Sequence, residues 1–211
     1  MTAIDYAWGA PPVSVLKQYG VTAVGRYVGP QAWGKTDTPR ELLSLAAAGV
    51  GTWLVFEEVA NDSTGGYAAG RANAQLALAS APHPSFGTSR PLYFAVDAAI
   101  NPQTAVPYFQ GVNSVIDPAW VGDYGEGDLN QLLHDLGLST WHWLSGSTSY
   151  PGSSGPRPIT NIWQRVGNPI PGYSTDPDDL LTVDVGQYPA PFPVPDPIPT
   201  TNRSLLLLVG G

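Results

Sequence analysis

Four acidic residues, Asp5, Glu57, Asp97 and Asp184, each lie at or near the end of a short run of strand-forming residues: Ala3–Asp5 (AID), Thr52–Glu58 (TWLVFEE), Pro91–Asp97 (PLYFAVD) and Leu181–Asp184 (LTVD). Carboxyl groups brought together can divide acid–base work. One that keeps its proton can donate it, and one that is ionised can accept a proton or attack carbon. A strand that ends on an acid is how an α/β barrel presents a catalytic group at its mouth. At period two, Tyr93, Ala95 and Asp97 share one face, and Trp53, Val55 and Glu57 share another. Glu58 follows Glu57, so either could be the one that points inward. The competing reading is structural, with these acids paired to Arg26, Arg90 or Arg165.

The elements that must hold those acids alternate. Strands are expected over 3–8, 21–29, 52–58, 91–97 and 120–124. Helices are expected over 11–20, from Thr38 to Gly49, over 66–81, within 102–117 and over 128–137. Thr38, Pro39 and Glu41 form a capping box with proline at the first helical position. Pro107 is expected to disturb the fourth helix. Three more strands, 139–144, 161–166 and 181–185, are joined by Gly/Pro/Ser-rich loops without helical period. The β-α alternation predicts an α/β fold with a parallel sheet. Eight strands with a recurring terminal acid predict a TIM-like barrel of five β-α units followed by three loop-joined strands. An open doubly wound sheet is the alternative, but no Gly-rich phosphate loop follows the first strand.

The bulk numbers narrow the partners. The 211 residues suffice for one domain with a full core, and the net charge of −8 argues against nucleic acid and anionic membranes. There is no Cys, and the three His residues show no metal-ligand spacing, so no metal and no cofactor are expected. No apolar run reaches the ~20 residues of a membrane span, and no signal peptide is visible before the first strand. Residues 1–188 are expected to form the barrel. Residues 189–211 read as a proline-rich linker and apolar tail, either docking on a partner or disordered.

Several motifs fall in order. They are DYAWG (5–9), GRY (25–27), GK (34–35) with Thr38 and Glu41, AAG (47–49), FE (56–57) with AN (60–61), GYAAG (66–70) and RPLYFAVD (90–97). Gly122 with Tyr124, WQ (163–164) and VD (183–184) follow. Together they resemble the glycoside hydrolase-like domain of unknown function 1906 of actinobacteria and their phages, a relative of family 25 lysozymes. The resemblance covers about 3–188. It implies the same barrel, action on cell-wall glycan, and Asp5, Glu57, Asp97 and Asp184 as the acids of the mouth. The lysozymes carry a second acid two residues after the fourth-strand Asp, and that position supplies their proton donor. Here it is Ala99.

Glycoside hydrolysis needs two carboxyls with different protonation states. Glu57, flanked by Trp53, is assigned as acid and Asp97 as base or nucleophile, with Asp5 and Asp184 positioning substrate or tuning their pKa values. Trp8, Tyr124, Trp143 and Trp163 lie near strand ends, where aromatic faces can stack on sugar rings. Gln164 can hydrogen-bond a hydroxyl or acetamido group, and Arg26 is a further candidate for substrate binding. The function expected is a phage-type, tail-associated hydrolase of peptidoglycan or another envelope glycan. The alternative is an inactive barrel that binds glycan or builds a virion part. Expected partners are wall glycan and, through 189–211, other virion proteins or a second copy. The location is the virion or the bacterial envelope.

Overall fold

A computed structural model of the chain describes residues 2–189. The proline-rich run beyond Pro189 and the apolar tail lie outside the described residues. Eight strands close into one barrel in chain order: β1 (Thr2–Asp5), β2 (Val21–Val28), β3 (Gly51–Phe56), β4 (Leu92–Ala95), β5 (Val121–Gly125), β6 (Trp141–Leu144), β7 (Ile162–Gln164) and β8 (Asp176–Leu180). Helices α1 (Val13–Gln18), α2 (Pro39–Ala47), α3 (Gly66–Ser80), α4 (Val106–Asn113) and α5 (Gly127–Asp135) follow the first five strands. The architecture is the TIM-like barrel expected from the β-α alternation.

Local chemistry sets several boundaries. Thr38 caps α2, its Oγ1 accepting from Glu41 N at 3.0 Å. The reciprocal half of the capping box is absent, because the Glu41 carboxylate faces Arg26 instead. Pro107 does not disturb α4. It occupies the first turn, where its missing N–H is not needed, after a 3-10 turn at Pro102–Ala105.

The interior is filled by pairing large side chains with glycine in register. Gly25 lies opposite Trp53, and Gly122 opposite Tyr93. A Cβ on Gly25 would come within 2.8 Å of the Trp53 ring, and one on Gly122 within 2.5 Å of Tyr93. Trp53 and Tyr93 both pack edge-on to Trp143, with ring centroids 5.5 and 6.1 Å away. Outside the barrel, apolar side chains of β2 to β5 pack under the helices.

One strand is corrected. The last strand is 176–180, not 181–185, and it runs antiparallel to both β7 and β1. The link from Gln164 to Asp176 holds no helix. A return to a parallel strand generally needs a crossover of a dozen or more residues, whereas a loop can turn the chain back. The DPDDL sequence hides this strand, since it looks like a turn. Residues beyond it run under the barrel. Tyr93 Oη donates to Val185 O at 3.0 Å, and Tyr188 exchanges backbone hydrogen bonds with Thr52 at 2.7 and 2.9 Å.

Candidate active site

The C-terminal ends of the parallel strands surround a small pocket lined by Asp5, Tyr27, Val55, Glu57, Ala95, Asp97, Tyr124, Trp143 and Gln164. Its volume of about 30 Å³ holds a few waters. A sugar ring therefore has to lie across the mouth, with the carboxyls reaching up from below.

Asp5 ends β1 and is 5% exposed. Gln164 Nε2 donates to its Oδ2 at 2.8 Å, and Gln164 Oε1 accepts from Tyr124 Oη at 2.8 Å. Burial raises the Asp5 pKa to about 7, with the charge of Asp176 adding to it. Its other neighbour is Asp178, which the reversed β8 brings to the inner face. Trp143 Nε1 donates to Asp178 Oδ1 at 2.9 Å. Burial and the charge of the adjacent Asp5 raise Asp178 well above the usual carboxylate range, and the two acids titrate as a linked pair. Asp176, cross-strand partner of Asp5, is also raised by burial.

Glu57 follows β3 on the inward face, and Glu58 is exposed. Lys35 Nζ lies 3.1 Å from Glu57 Oε2 and 4.6 Å above the Tyr27 ring. Glu57 therefore faces the pocket as the anion of an ion pair, which does not suit the acid role expected for it. Asp97 is exposed at the rim, and Tyr150 Oη lies 3.4 Å from its Oδ1.

Asp5, Glu57 and Asp97 thus share one mouth, with Tyr124, Trp143 and Gln164 as walls and floor. Asp184 does not join them. It lies at the opposite end of the barrel, beside Arg90 at 3.1 Å, because β8 runs backwards and its chain exits at the bottom. Arg26 does not line the pocket either. Next to inward Gly25 and Tyr27, it points out of the barrel, bonding Glu41 at 2.8 Å and Tyr6 O at 2.6 Å. Trp8 is 57% exposed in the β1–α1 loop, outside the pocket lining. Trp163 points outward under Arg165, whose guanidinium carbon is 3.8 Å from the ring centroid.

Tyr27, Lys35, Asp176 and Asp178 were not foreseen as site residues. Tyr27 had a signal, being two positions beyond Gly25 on the same face. Lys35 had one as well, in the GK motif at 34–35, whereas Asp178 had none, lying in a strand without apolar alternation. His134 and His142, which show no metal-ligand spacing in the sequence, come within 3.2 Å outside the barrel, beside buried Asp123. Among the described residues, no three His, Asp or Glu side chains group to hold a metal ion, and no helix is long and apolar enough to cross a membrane.

The sequence profile described as "Rv2525c-like, glycoside hydrolase-like domain" matches residues 14–173. The Mycobacterium tuberculosis Tat-secreted protein Rv2525c, solved with HEPES, superposes with a TM-score of 0.77 at 24% identity, covering 88% of this chain and 98% of that one. GHIP, a glycosyl hydrolase 25 of Streptococcus pneumoniae, gives 0.53 at 17% identity, with 84% of each chain covered. The modular autolysin LytC of Streptococcus pneumoniae, solved with a synthetic peptidoglycan ligand, gives 0.50 at 14% identity, covering 84% of this chain and 45% of LytC. At these identities the likeness is one of fold. No curated protein matches the sequence.

Proposed function

The chain belongs to the Rv2525c-like, glycoside hydrolase-like domain family, and from that membership we propose that it hydrolyses peptidoglycan or another glycan of the bacterial envelope. One observation carries the reading: Asp5, Glu57 and Asp97 meet at one pocket in unequal surroundings. Glu57 stands in an ion pair with Lys35, and Asp5 retains its proton to about pH 7. Glycoside hydrolysis uses such a division between carboxyls.

In this reading Glu57 faces the anomeric carbon as nucleophile or as base for water. Its charge opposes the positive charge that develops on the ring. Asp5, with Asp178 and Gln164, positions the sugar from the floor and sets the charge there. Tyr124 and Trp143 supply apolar area beneath the ring. Asp97 takes up the proton released at the rim. The peptidoglycan-bound neighbour supports a wall glycan as substrate, and the Tat-secreted neighbour supports an envelope location. Delivery on a phage tail is the finer part of the proposal, and mass spectrometry of purified virions tests it.

The competing reading is a glycan-binding or structural virion module, favoured by Ala99 in place of a second β4 acid. Incubation with purified cell walls separates the two. Wild type is expected to release new reducing ends, and Glu57→Gln to reduce release by ~10²-fold or more with the fold intact. Binding of wall fragments without any release by wild type decides for the module.

A further inference from the structure

Glu126 is fully enclosed, and neither carboxylate oxygen has a hydrogen-bond partner. A buried carboxyl without partners costs several kcal/mol unless it keeps its proton, and burial does raise its pKa, with Asp128 adding to the effect. No structural task accounts for it. It stands at the N-cap of α5 but makes no side-chain cap. Two amides of the first helical turn are taken by the loop above. Gly127 N donates to Ser153 Oγ at 3.2 Å, and Asp128 N donates to Pro151 O at 3.3 Å. No ion pair involves it among the described residues.

Its place in the barrel is specific. Strands β4 and β5 pair Ala95 with Tyr124, and Val96 N donates to Tyr124 O at 2.8 Å beyond that pair. Ala95 and Tyr124 both line the pocket. Continuing the strand alternation two residues past that pair puts Asp97 and Glu126 at the next inward positions, with Asp97 lining the pocket and Glu126 buried behind its lining. Glu126 keeps extended dihedrals, so it continues the inward alternation. Tyr150 lies between them in the electrostatic sense. Its hydroxyl contacts Asp97, and its pKa is raised by burial and by the charges of both Asp97 and Glu126.

We propose that Glu126 is the proton donor of this mouth, stored beneath the loop that carries Tyr150 to Ser153 and uncovered when a glycan displaces that loop. The inference rests on the glycosidase reading and supplies the acid that Ala99 cannot. Glu126 gives its proton to the departing glycosidic oxygen as the bond to the anomeric carbon breaks. Water bonds that carbon and loses one proton to a carboxylate of the mouth. Glu126 is left ionised and the accepting carboxyl protonated, and exchange with solvent restores both.

Two substrates test this: wall glycan, whose leaving sugar needs a proton, and a dinitrophenyl chitobioside, whose leaving group does not. Glu126→Gln is expected to lower kcat on glycan by ~10²-fold or more while leaving the dinitrophenyl glycoside within about threefold of wild type. Glu126→Asp, which keeps a carboxyl with a shorter reach, is expected to fall between. Equal losses on both substrates, or no loss on glycan, overturn the assignment while sparing the glycosidase reading. Absence of cleavage by wild type overturns both. Circular dichroism of each variant confirms that the barrel is intact.

Discussion

Asp178 stands opposite Ala3, diagonal to Asp5, across the seam where antiparallel β8 meets β1, so two acids far apart in the sequence are buried side by side and burial raises the pKa of each. A parallel last strand would have carried its acid up at its C-terminal end. The reversed strand delivers acids from its beginning. Near neutral pH, the floor of the mouth changes its charge through this pair.

The sign of the resulting pH dependence follows from linkage. Folded Asp5 holds its proton to about pH 7, whereas its ordinary value is 3.8. Between those values the native state binds more protons than the unfolded state, so stability falls as pH rises. The contribution is fully present below 3.8 and is lost on passing through 7. Urea midpoints of wild type are expected to fall across this window, and those of Asp5→Asn to be flatter. Parallel curves for the two proteins would count against a buried, proton-holding Asp5.

Asp184→Asn separates a mouth acid from a bottom one. Its ion pair with Arg90 is 41% exposed on the acid side, a setting worth at most ~1 kcal/mol. A small drop in Tm and unchanged wall hydrolysis are expected. A loss of activity comparable to that of Glu57→Gln would return Asp184 to the chemistry.

Arg26→Met addresses the outward arginine. The guanidinium bonds both Glu41 oxygens, at 2.8 and 3.2 Å, and holds Tyr6 O and Lys35 O from behind the barrel. Removing one partner of a buried ion pair costs ~3–5 kcal/mol. Chemical denaturation is expected to show a loss of that order. Glycan KM should change no more than the shift of the Lys35 loop imposes. A large KM effect with little loss of stability would make Arg26 a substrate contact after all.

Gly25→Ala tests the packing that seats Asp5. The added methyl would lie 2.8 Å from the Trp53 ring and 2.9 Å from the Asp5 Cβ. Overpacking of this kind costs ~1–3 kcal/mol. Displacement of Asp5 should also shift the pH at which the floor titrates. A variant with wild-type stability and pH profile would show that the barrel relaxes around the methyl without moving Asp5.

Much of this was legible because the parallel strands obey simple rules. Alternation set Asp97 on one face with Tyr93 and Ala95 and left the choice between Glu57 and Glu58 open, and the β-α rhythm predicted five units. Those rules fail where the chain reverses. β8 has the sequence DPDDL, which puts Asp176 and Asp178 on the inner face ahead of Leu180 and turns Asp179 out to Arg165. Nothing local distinguishes that from a turn, so the apolar LTVDV beyond it looked like the better strand. Arg26 fitted its motif but sits at the alternate position to Gly25 and Tyr27, and parity alone would have turned it outward. The structural reading of strand-end acids as arginine partners holds for Asp184 and not for Asp5, Glu57 or Asp97. Glu126 escaped notice because Gly125 and Gly127 flank it, and its importance lies in what it fails to bond.

The reversal of β8 also fixes how the domain can be tethered. Thr2 begins β1 at the bottom of the barrel, and Tyr188 pairs with Thr52 near the same end. Both ends of the described chain therefore leave from the face opposite the mouth. A barrel held at either end, on a surface or in a larger assembly, points its opening outward like a cup on a stalk. A fusion partner joined directly at Thr2 or at Pro189 would leave access to the carboxyls unobstructed.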